Sequence, residues 1–272
     1  MNLGGPLLLV GGGKMGGALL RGWLERGLPP DEVTVVEPNA AALTDLAGRG
    51  IRVLPDASAL PEGVAPAIVV LAVKPQVMNE VLPAYGRFVR PGTVFLSIAA
   101  GKTIAYFEGR LGGGAAVVRA MPNTPAAVGR GITVACPNAA VTADRKAQCG
   151  ALLEAVGEVA WVEDEALLDP VTAVSGGGPA YVFLLIECLA EAGVQAGLPA
   201  ELAMRLARAT VTGAGELAHR SSEPASVLRQ NVTSPGGTTL EALKVLMAPD
   251  GLQPLMTRAV AAATRRSREL AD

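Results

Sequence analysis

Leu7-Leu8-Leu9-Val10 runs without a break into Gly11-Gly12-Gly13-Lys14-Met15-Gly16 and then into Ala18-Leu19-Leu20-Arg21-Gly22-Trp23-Leu24. This order constrains the chain more than any other feature, because it describes a buried strand, a tight turn and a helix whose N-terminal amides are left open to an anion. Gly11 makes the turn, Gly13 lets the backbone approach a pyrophosphate, and Gly16 allows the helix to pack closely on the strand. In a chain with 33 glycines, G-x-G-x-x-G alone carries little weight, and a structural glycine turn is the plain alternative. The strand before it and the helix after it make it a dinucleotide site, with Lys14 and Met15 at the helix start.

The same grammar continues to about residue 163. Short apolar runs recur at Val33-Thr34-Val35-Val36, Ala67 to Val73, Val94 to Ile98, Ala116 to Arg119, Ile132 to Ala135 and Val159 to Val162. Their apolarity is continuous rather than alternating, as expected of strands covered on both faces. Helical patterns fill the gaps, at Ala40 to Arg49, Gln76 to Phe88 and Ala143 to Ala155. The expectation is a doubly wound α/β domain of the Rossmann type over 1–163, with a mainly parallel sheet.

From 164 to 272 no strand-like run survives, and Pro and Gly punctuate helical patterns near Glu165 to Val174, Pro179 to Ala196, Pro199 to His219, Pro224 to Gln230, Thr238 to Met247 and Gln253 to Leu270. Pro179, Pro199 and Pro224 suit first helical turns, and Gly197 suits a helix end. This half is predicted to be all-α. Ala180 to Ile186 is apolar around most of its helical circumference, which a small helical domain cannot hide alone, so a second subunit is expected to cover it; burial by its own neighbours is the alternative. Gly213-Ala214-Gly215 inside a helix suggests a close helix-to-helix approach.

Composition excludes several classes of partner. Net charge is −2 with the signs interspersed, and aromatics make up only 3%, so neither a basic nucleic-acid face nor a stacking platform is present. Cys136, Cys149 and Cys188 are odd in number and widely spaced, which argues against a disulfide framework or a metal site and for small buried thiols in a reducing compartment. The most apolar helix is interrupted by Glu187 and Glu191 and reads as too short to span a bilayer. With no export signal visible, a cytoplasmic setting and a small-molecule partner are expected.

A dinucleotide domain followed by a helical one implies hydride transfer, but the inventory of proton-handling residues is thin. His219, the only histidine, sits at a predicted helix end, where a solvated or dipole-paired role fits. No lysine lies between Lys146 and Lys244. Alcohol oxidation normally requires a strong general base. Reduction of a protonated C=N asks for less, since hydroxyls and backbone amides suffice to bind a carboxylate and relay a proton. Two segments offer these at predicted helix starts, Val174-Ser175-Gly176-Gly177-Gly178-Pro179-Ala180-Tyr181 and Val232-Thr233-Ser234-Pro235-Gly236-Gly237-Thr238-Thr239. Read alone, the second also fits an ordinary surface loop leading into a Thr-capped helix.

Five blocks in order and spacing make nearly the whole chain resemble the pyrroline-5-carboxylate reductase family. They are Gly11 to Gly16, Leu71-Ala72-Val73-Lys74-Pro75, Ser97 to Gly101 leading to Arg119-Ala120-Met121-Pro122-Asn123-Thr124-Pro125, Val174 to Tyr181, and Val232 to Thr239. The resemblance implies an NADPH- or NADH-dependent reductase that forms L-proline from an imino acid. It also implies interleaved C-terminal helices in a homo-oligomer, a dimer often arranged as a ring of dimers. Carried onto this chain, it puts Ala72, Val73, Lys74 and Pro75 beside the coenzyme and has Arg119 to Pro125, Asn123 among them, shape the nicotinamide side; a solvated Lys74 and a purely structural, proline-bracketed loop are the plain alternatives. It has Ser234, Gly236 and the N–H groups of Gly237 and Thr238 hold the carboxylate, Thr239 reach the ring nitrogen as the proton-relay candidate, and Ser175 support the pocket. Gly177 stands where the family commonly has a serine.

Glu37, at the end of the second strand next to Pro38 and Asn39, departs further, because an acid there binds the ribose 2′-hydroxyl of NAD and repels a 2′-phosphate. Resemblance favours NADPH and the carboxylate favours NADH. The competing readings are a β-hydroxyacid dehydrogenase, which the lysine gap opposes, another imine reductase, and a nucleotide-sensing binding protein without catalysis.

Overall fold

In the computed structural model, which describes residues 2–46 and 48–270, the chain packs as two compact units. The first runs to Gly176 and takes in the C-terminal residues from Ala263 on; the second is Gly177–Ala262.

The first unit is built on strands β1 (Leu7–Val10), β2 (Val33–Val36), β3 (Arg52–Leu54), β4 (Ile68–Leu71), β5 (Val94–Ser97), β6 (Ala116–Met121), β7 (Gly131–Pro137) and β8 (Gly157–Trp161). They form one sheet in the order β3-β2-β1-β4-β5-β6-β7-β8, parallel throughout except for the antiparallel pair β6 and β7. β1, β4 and β5 are buried along their whole length because both faces are covered. On one face, Leu7, Leu9, Val35, Val70 and Leu96 pack with Leu19, Leu20 and Trp23 of α1 (Lys14–Glu25). On the other, Leu8, Val10, Val69, Leu71 and Phe95 pack against Met78 of α2 (Met78–Val81) and Phe107 of α3 (Ile104–Leu111). Helix α4 (Ala143–Glu154) joins the first face, where the Trp23 indole N–H donates to the Leu152 carbonyl at 2.8 Å.

Several local readings change. β3 is an unpredicted edge strand, too short for a pattern of its own and defined by its pairing with Val35 and Val36 of β2. The helix expected over 40–49 is a 3-10 segment, Ala40–Leu46, kinked at Leu43, and Ala47 lies outside the described residues. Over 76–88, only α2 is α-helical; the flanking Pro75–Val77 and Leu82–Phe88 are 3-10, where Pro75, Pro83 and Gly86 interrupt regular α-helix.

The break expected at the Ser175 to Gly178 cluster is the largest difference. α5 (Leu168–Val171) passes through a π-helical turn, Thr172–Gly176, toward α6 (Gly178–Gln195), and Gly177 itself has α-helical φ and ψ. The helical run Glu165–Gln195 is therefore 31 residues long and holds an 18-residue stretch of mean hydropathy 1.5, long and apolar enough by length and composition to cross a bilayer, contrary to the expectation. The cluster becomes a π turn ending at Gly176, followed by α6 with Gly177 as its N-cap and Pro179 in its first turn, as expected.

In the second unit, α6 and α7 (Ala200–Arg220) form a helical hairpin, followed by α8 (Ala225–Asn231), α9 (Thr238–Leu246) and α10 (Leu252–Glu269), whose last turns belong to the first unit. Pro199 and Pro224 are N-caps rather than first-turn residues. The tight helix contact is at Gly193, where an added Cβ would stand 3.2 Å from the Ala203 methyl, whereas Gly213 and Gly215 meet nothing within 4 Å. Within the protomer, α6 buries only Ala190 and leaves Val182, Phe183, Leu184 and Leu185 exposed. Cys188 is exposed on the same helix, unlike the buried Cys136 and Cys149.

Candidate active site

Where β1 turns back between β2 and β4, the carboxyl ends of three strands leave an open crevice, the place at which ligands bind in sheets of this kind. The glycine loop leaves β1, Glu37 leaves β2, and Ala72 to Pro75 leave β4. Gly11 has φ +97°, and a Cβ there would stand 2.8 Å from the Ala72 carbonyl oxygen, so turn and close approach both require glycine. A Cβ on Gly16 would fall on the Gly11 carbonyl oxygen, which shows how tightly α1 closes on the turn.

Gly13 differs. It is the N-cap of α1, exposed, and an added Cβ meets no atom within 4 Å. Among the described residues no side chain caps α1 and no acid stands in its first turn, so the amides of its first residues are left without a protein partner there. Gly13, Ala72, Val73 and Lys74 are shared by two cavities of about 720 and 710 Å³. The first extends past Glu37, Asn39 and Tyr85; the second past Met15, Pro75, Met121 and Asn123. The helix-start amides and the two adjoining cavities suit a dinucleotide, whose pyrophosphate the amides of Lys14 and Met15 would hold.

The Glu37 carboxylate accepts from the Gly12 N–H at 2.7 Å and from the Asn39 N–H at 2.8 Å. Burial pushes the Tyr85 phenol up to about 12, so the ring is a neutral wall of its cavity. In the other cavity, Asn123 accepts from the Ile132 N–H at 3.0 Å and donates to the Ser175 hydroxyl at 3.3 Å, holding that serine in the π-helical turn.

An ion pair that sequence reading passed over lies close by in the chain. Arg119, placed with the nicotinamide loop by resemblance, is buried and pairs with Glu165 at 2.7 Å, while the same carboxylate oxygen accepts from the Ile104 N–H at 2.8 Å. Arg119 ties the end of the sheet to the first turn of the long helix. A charged residue inside an otherwise apolar strand, Ala116 to Met121, was the available signal. Burial, helped by Glu165, also raises the Cys136 thiol, leaving it an unreactive packing group.

The remaining residues belong to the second unit. Ser234 to Gly237 form a turn closed by the Gly237 N–H on the Ser234 carbonyl at 3.1 Å, with Gly236 at φ +69°, the geometry of a type II turn with Pro235 in its second position. The Gly237 N–H, expected as a carboxylate donor, donates within the turn. Gly237 is the N-cap of α9 and makes no side-chain cap bond, so neither Thr238 nor Thr239 acts as the expected threonine cap. The Thr238 and Thr239 amides, and the exposed hydroxyls of Ser234, Thr238 and Thr239, are left unpaired among the described residues. His219 is in the last turn of α7.

Comparison with known proteins separates the two halves and then joins them. Residues 7–101 match a family model described as NADP oxidoreductase coenzyme F420-dependent, and residues 165–270 match one described as pyrroline-5-carboxylate reductase dimerisation. The pyrroline-5-carboxylate reductase of Pseudomonas aeruginosa is 41% identical over 98% of this chain and 97% of its own. The solved structure of the Coxiella burnetii enzyme superposes with a TM-score of 0.91 at 35% identity, covering 98% and 99% of the two chains. The Plasmodium falciparum pyrroline carboxylate reductase, solved with NADP bound, does so with a TM-score of 0.81 at 30% identity, covering 98% of each chain. With likeness spanning both the coenzyme-type half and the helical half, the chain belongs to the pyrroline-5-carboxylate reductase family.

Proposed function

We propose that the protein reduces 1-pyrroline-5-carboxylate to L-proline with NAD(P)H, the last step of proline biosynthesis, and works in the cytoplasm. The observation that carries the reading is that the chain has both a glycine-loop helix start, open to a pyrophosphate, and a second helix start at 237–239 that carries hydroxyls and no cation. When bound, the reduced nicotinamide supplies the hydride. Gly11, Gly13, Lys14, Met15 and Gly16 hold the pyrophosphate, Glu37 and Asn39 border the adenosine, and Ala72 to Pro75 with Asn123 line the nicotinamide side.

Residues 164–272 serve as the dimerisation and substrate domain. The exposed apolar side chains of α6 are the surface that a second copy covers, and a ring of dimers is the larger assembly implied by family resemblance. Ser234, Gly236 and the amides of Thr238 and Thr239 grip the substrate carboxylate. Thr239 offers its hydroxyl to the ring nitrogen and relays a proton there, and Ser175 is positioned by Asn123 at the pocket wall. The assay that separates the readings is NAD(P)H consumption with pyrroline-5-carboxylate against NAD(P)⁺ reduction with 3-hydroxyisobutyrate. Turnover of the second substrate alone, or of neither, rejects the assignment.

Two substitutions test the residues. Thr239→Ala should lower kcat roughly a hundredfold, the scale of lost acid-base assistance, with coenzyme affinity nearly unchanged; an unaltered kcat removes Thr239 from the chemistry. Gly13→Ala should change stability by no more than about 1 kcal/mol, since φ −64° and ψ −163° suit alanine and the Cβ meets no protein atom, while alanine is the poorer N-cap. It should nevertheless raise the coenzyme Kd at least about tenfold, because that Cβ occupies the pyrophosphate's place. Normal binding by this variant would put the pyrophosphate elsewhere.

A further inference from the structure

The end of β2 carries a carboxylate that is not free to move. Both oxygens of Glu37 are engaged by backbone donors, one from the glycine loop through Gly12 and one from Asn39. A carboxylate has about four acceptor positions, so two remain to accept from hydroxyls, and none of them can donate to a phosphate. Among the described residues, the cavity that Glu37 borders is also bordered by Asp56 and Glu80, against a single cation, Lys74, and no arginine. Lys74 follows β4 rather than β2 and is shared with the nicotinamide-side cavity. Asp56 is held below the usual carboxylate range by the Ser58 hydroxyl and backbone amides, so it stays charged.

We infer that Glu37 makes this protein select NADH over NADPH, by accepting from the adenosine ribose 2′-hydroxyl and refusing a 2′-phosphate. The inference rests on the proposed placement of the coenzyme's adenosine half in this cavity. It is drawn from Glu37 and its surroundings, and it runs against the NADP held by the Plasmodium relative. A side chain free to rotate could swing away from an incoming phosphate, but Glu37 can do so only by releasing the Gly12 and Asn39 amides. Releasing Gly12 loosens the loop on which the pyrophosphate sits. A 2′-phosphate, with about 1.5 to 2 negative charges at neutral pH, must then bind beside a fixed anion. Each unit charge at about 4 Å weakens binding roughly fivefold in bulk water and several-hundredfold at an effective dielectric near 20.

Calorimetric titration of the full-length protein with NADH, NADPH, ADP-ribose and 2′-phospho-ADP-ribose tests this without turnover. NADH and ADP-ribose should bind at least tenfold more tightly than their phosphorylated counterparts, and added salt should narrow the gap. Glu37→Gln, which keeps the shape and removes the charge, should bring the two coenzymes within about threefold, mainly by tightening NADPH. Equal affinities in the unmodified protein, or an undiminished gap in the glutamine variant, overturn the role of Glu37 and leave the coenzyme site standing. Failure of all four ligands to bind overturns both. Should the variant not fold, the four ligands with the unmodified protein decide the matter.

Discussion

Gly16→Ala is expected to unfold the turn between β1 and α1 and to abolish useful coenzyme binding. The added methyl would fall on the Gly11 carbonyl oxygen and stand 3.3 Å from the Ala72 Cβ, and neither neighbour is a flexible side chain that can yield. Gly11 is itself pinned, because its N–H donates to the Val36 carbonyl at 2.9 Å and its Cα faces the Ala72 carbonyl. Relief must therefore come from α1 lifting away from the sheet. That separates Leu19, Leu20 and Trp23 from the strand residues they cover, at a cost of about 3 kcal/mol, the upper end of what overpacking costs in a close-packed core. A displacement of about 1 Å at the helix start also re-aims the amides of Lys14 and Met15, enough to weaken a positioned interaction roughly a hundredfold. Thermal unfolding and NADH titration of the variant, set beside Gly13→Ala, check both parts. Gly16→Ala should lose stability and affinity together, whereas Gly13→Ala loses affinity alone. A Gly16→Ala protein with an unchanged melting temperature would mean that the close approach is not rigid.

Glu165→Ala should be the most destabilising change away from the coenzyme. It leaves the guanidinium of Arg119 buried without its counter-charge and removes the acceptor of the Ile104 N–H at the start of α3. Removing one partner of a buried pair costs about 3–5 kcal/mol, because the remaining charge has lost both water and its partner. Here the lower end applies, about 3 kcal/mol, since the Glu165 side chain is 26% exposed and water can reach the vacated space. For a domain of this size that corresponds to a fall of roughly 6–12 °C in Tm. The comparison must be made at one protomer concentration, because association adds to apparent stability. Arg119→Met with Glu165→Leu should recover much of the loss, since an apolar pair of similar volume carries no desolvation penalty. A single-variant loss below about 1 kcal/mol would show that Arg119 finds another acceptor.

The polar partnerships behind these predictions differ in how far they can be read from the chain. The strand–glycine–helix unit of residues 7–25 is local, since each step depends on residues within a few positions, and its glycines act through their own φ or missing Cβ. The same is true of the Ser234-Pro235-Gly236-Gly237 turn, whose proline and positive-φ glycine select the turn type before any tertiary contact exists. Glu37 was legible as the acid at the end of β2, but its bond to Gly12 spans 25 residues and depends on β1 and β2 lying side by side. Arg119 and Glu165 lie 46 residues apart, and nothing in either segment's pattern announces the other.

What the chain determined alone was the periodic and conformational part: continuous apolar strands, a helical second half, the open helix start at Gly13 and the turn before Thr238. Hydrophobic spacing and backbone sterics act over one or two turns, so they are written residue by residue. Tertiary structure decided which polar groups were already spent. It engaged both oxygens of Glu37, made Arg119 a buried tie, and carried the helix through Thr172–Gly176 as a π turn where glycines had suggested a stop. It also moved the close helix contact to Gly193. The physical reason is common to all four: hydrogen-bond saturation and close packing depend on which distant segments become neighbours, and the surrounding fold overrides the weak preference of a glycine to end a helix.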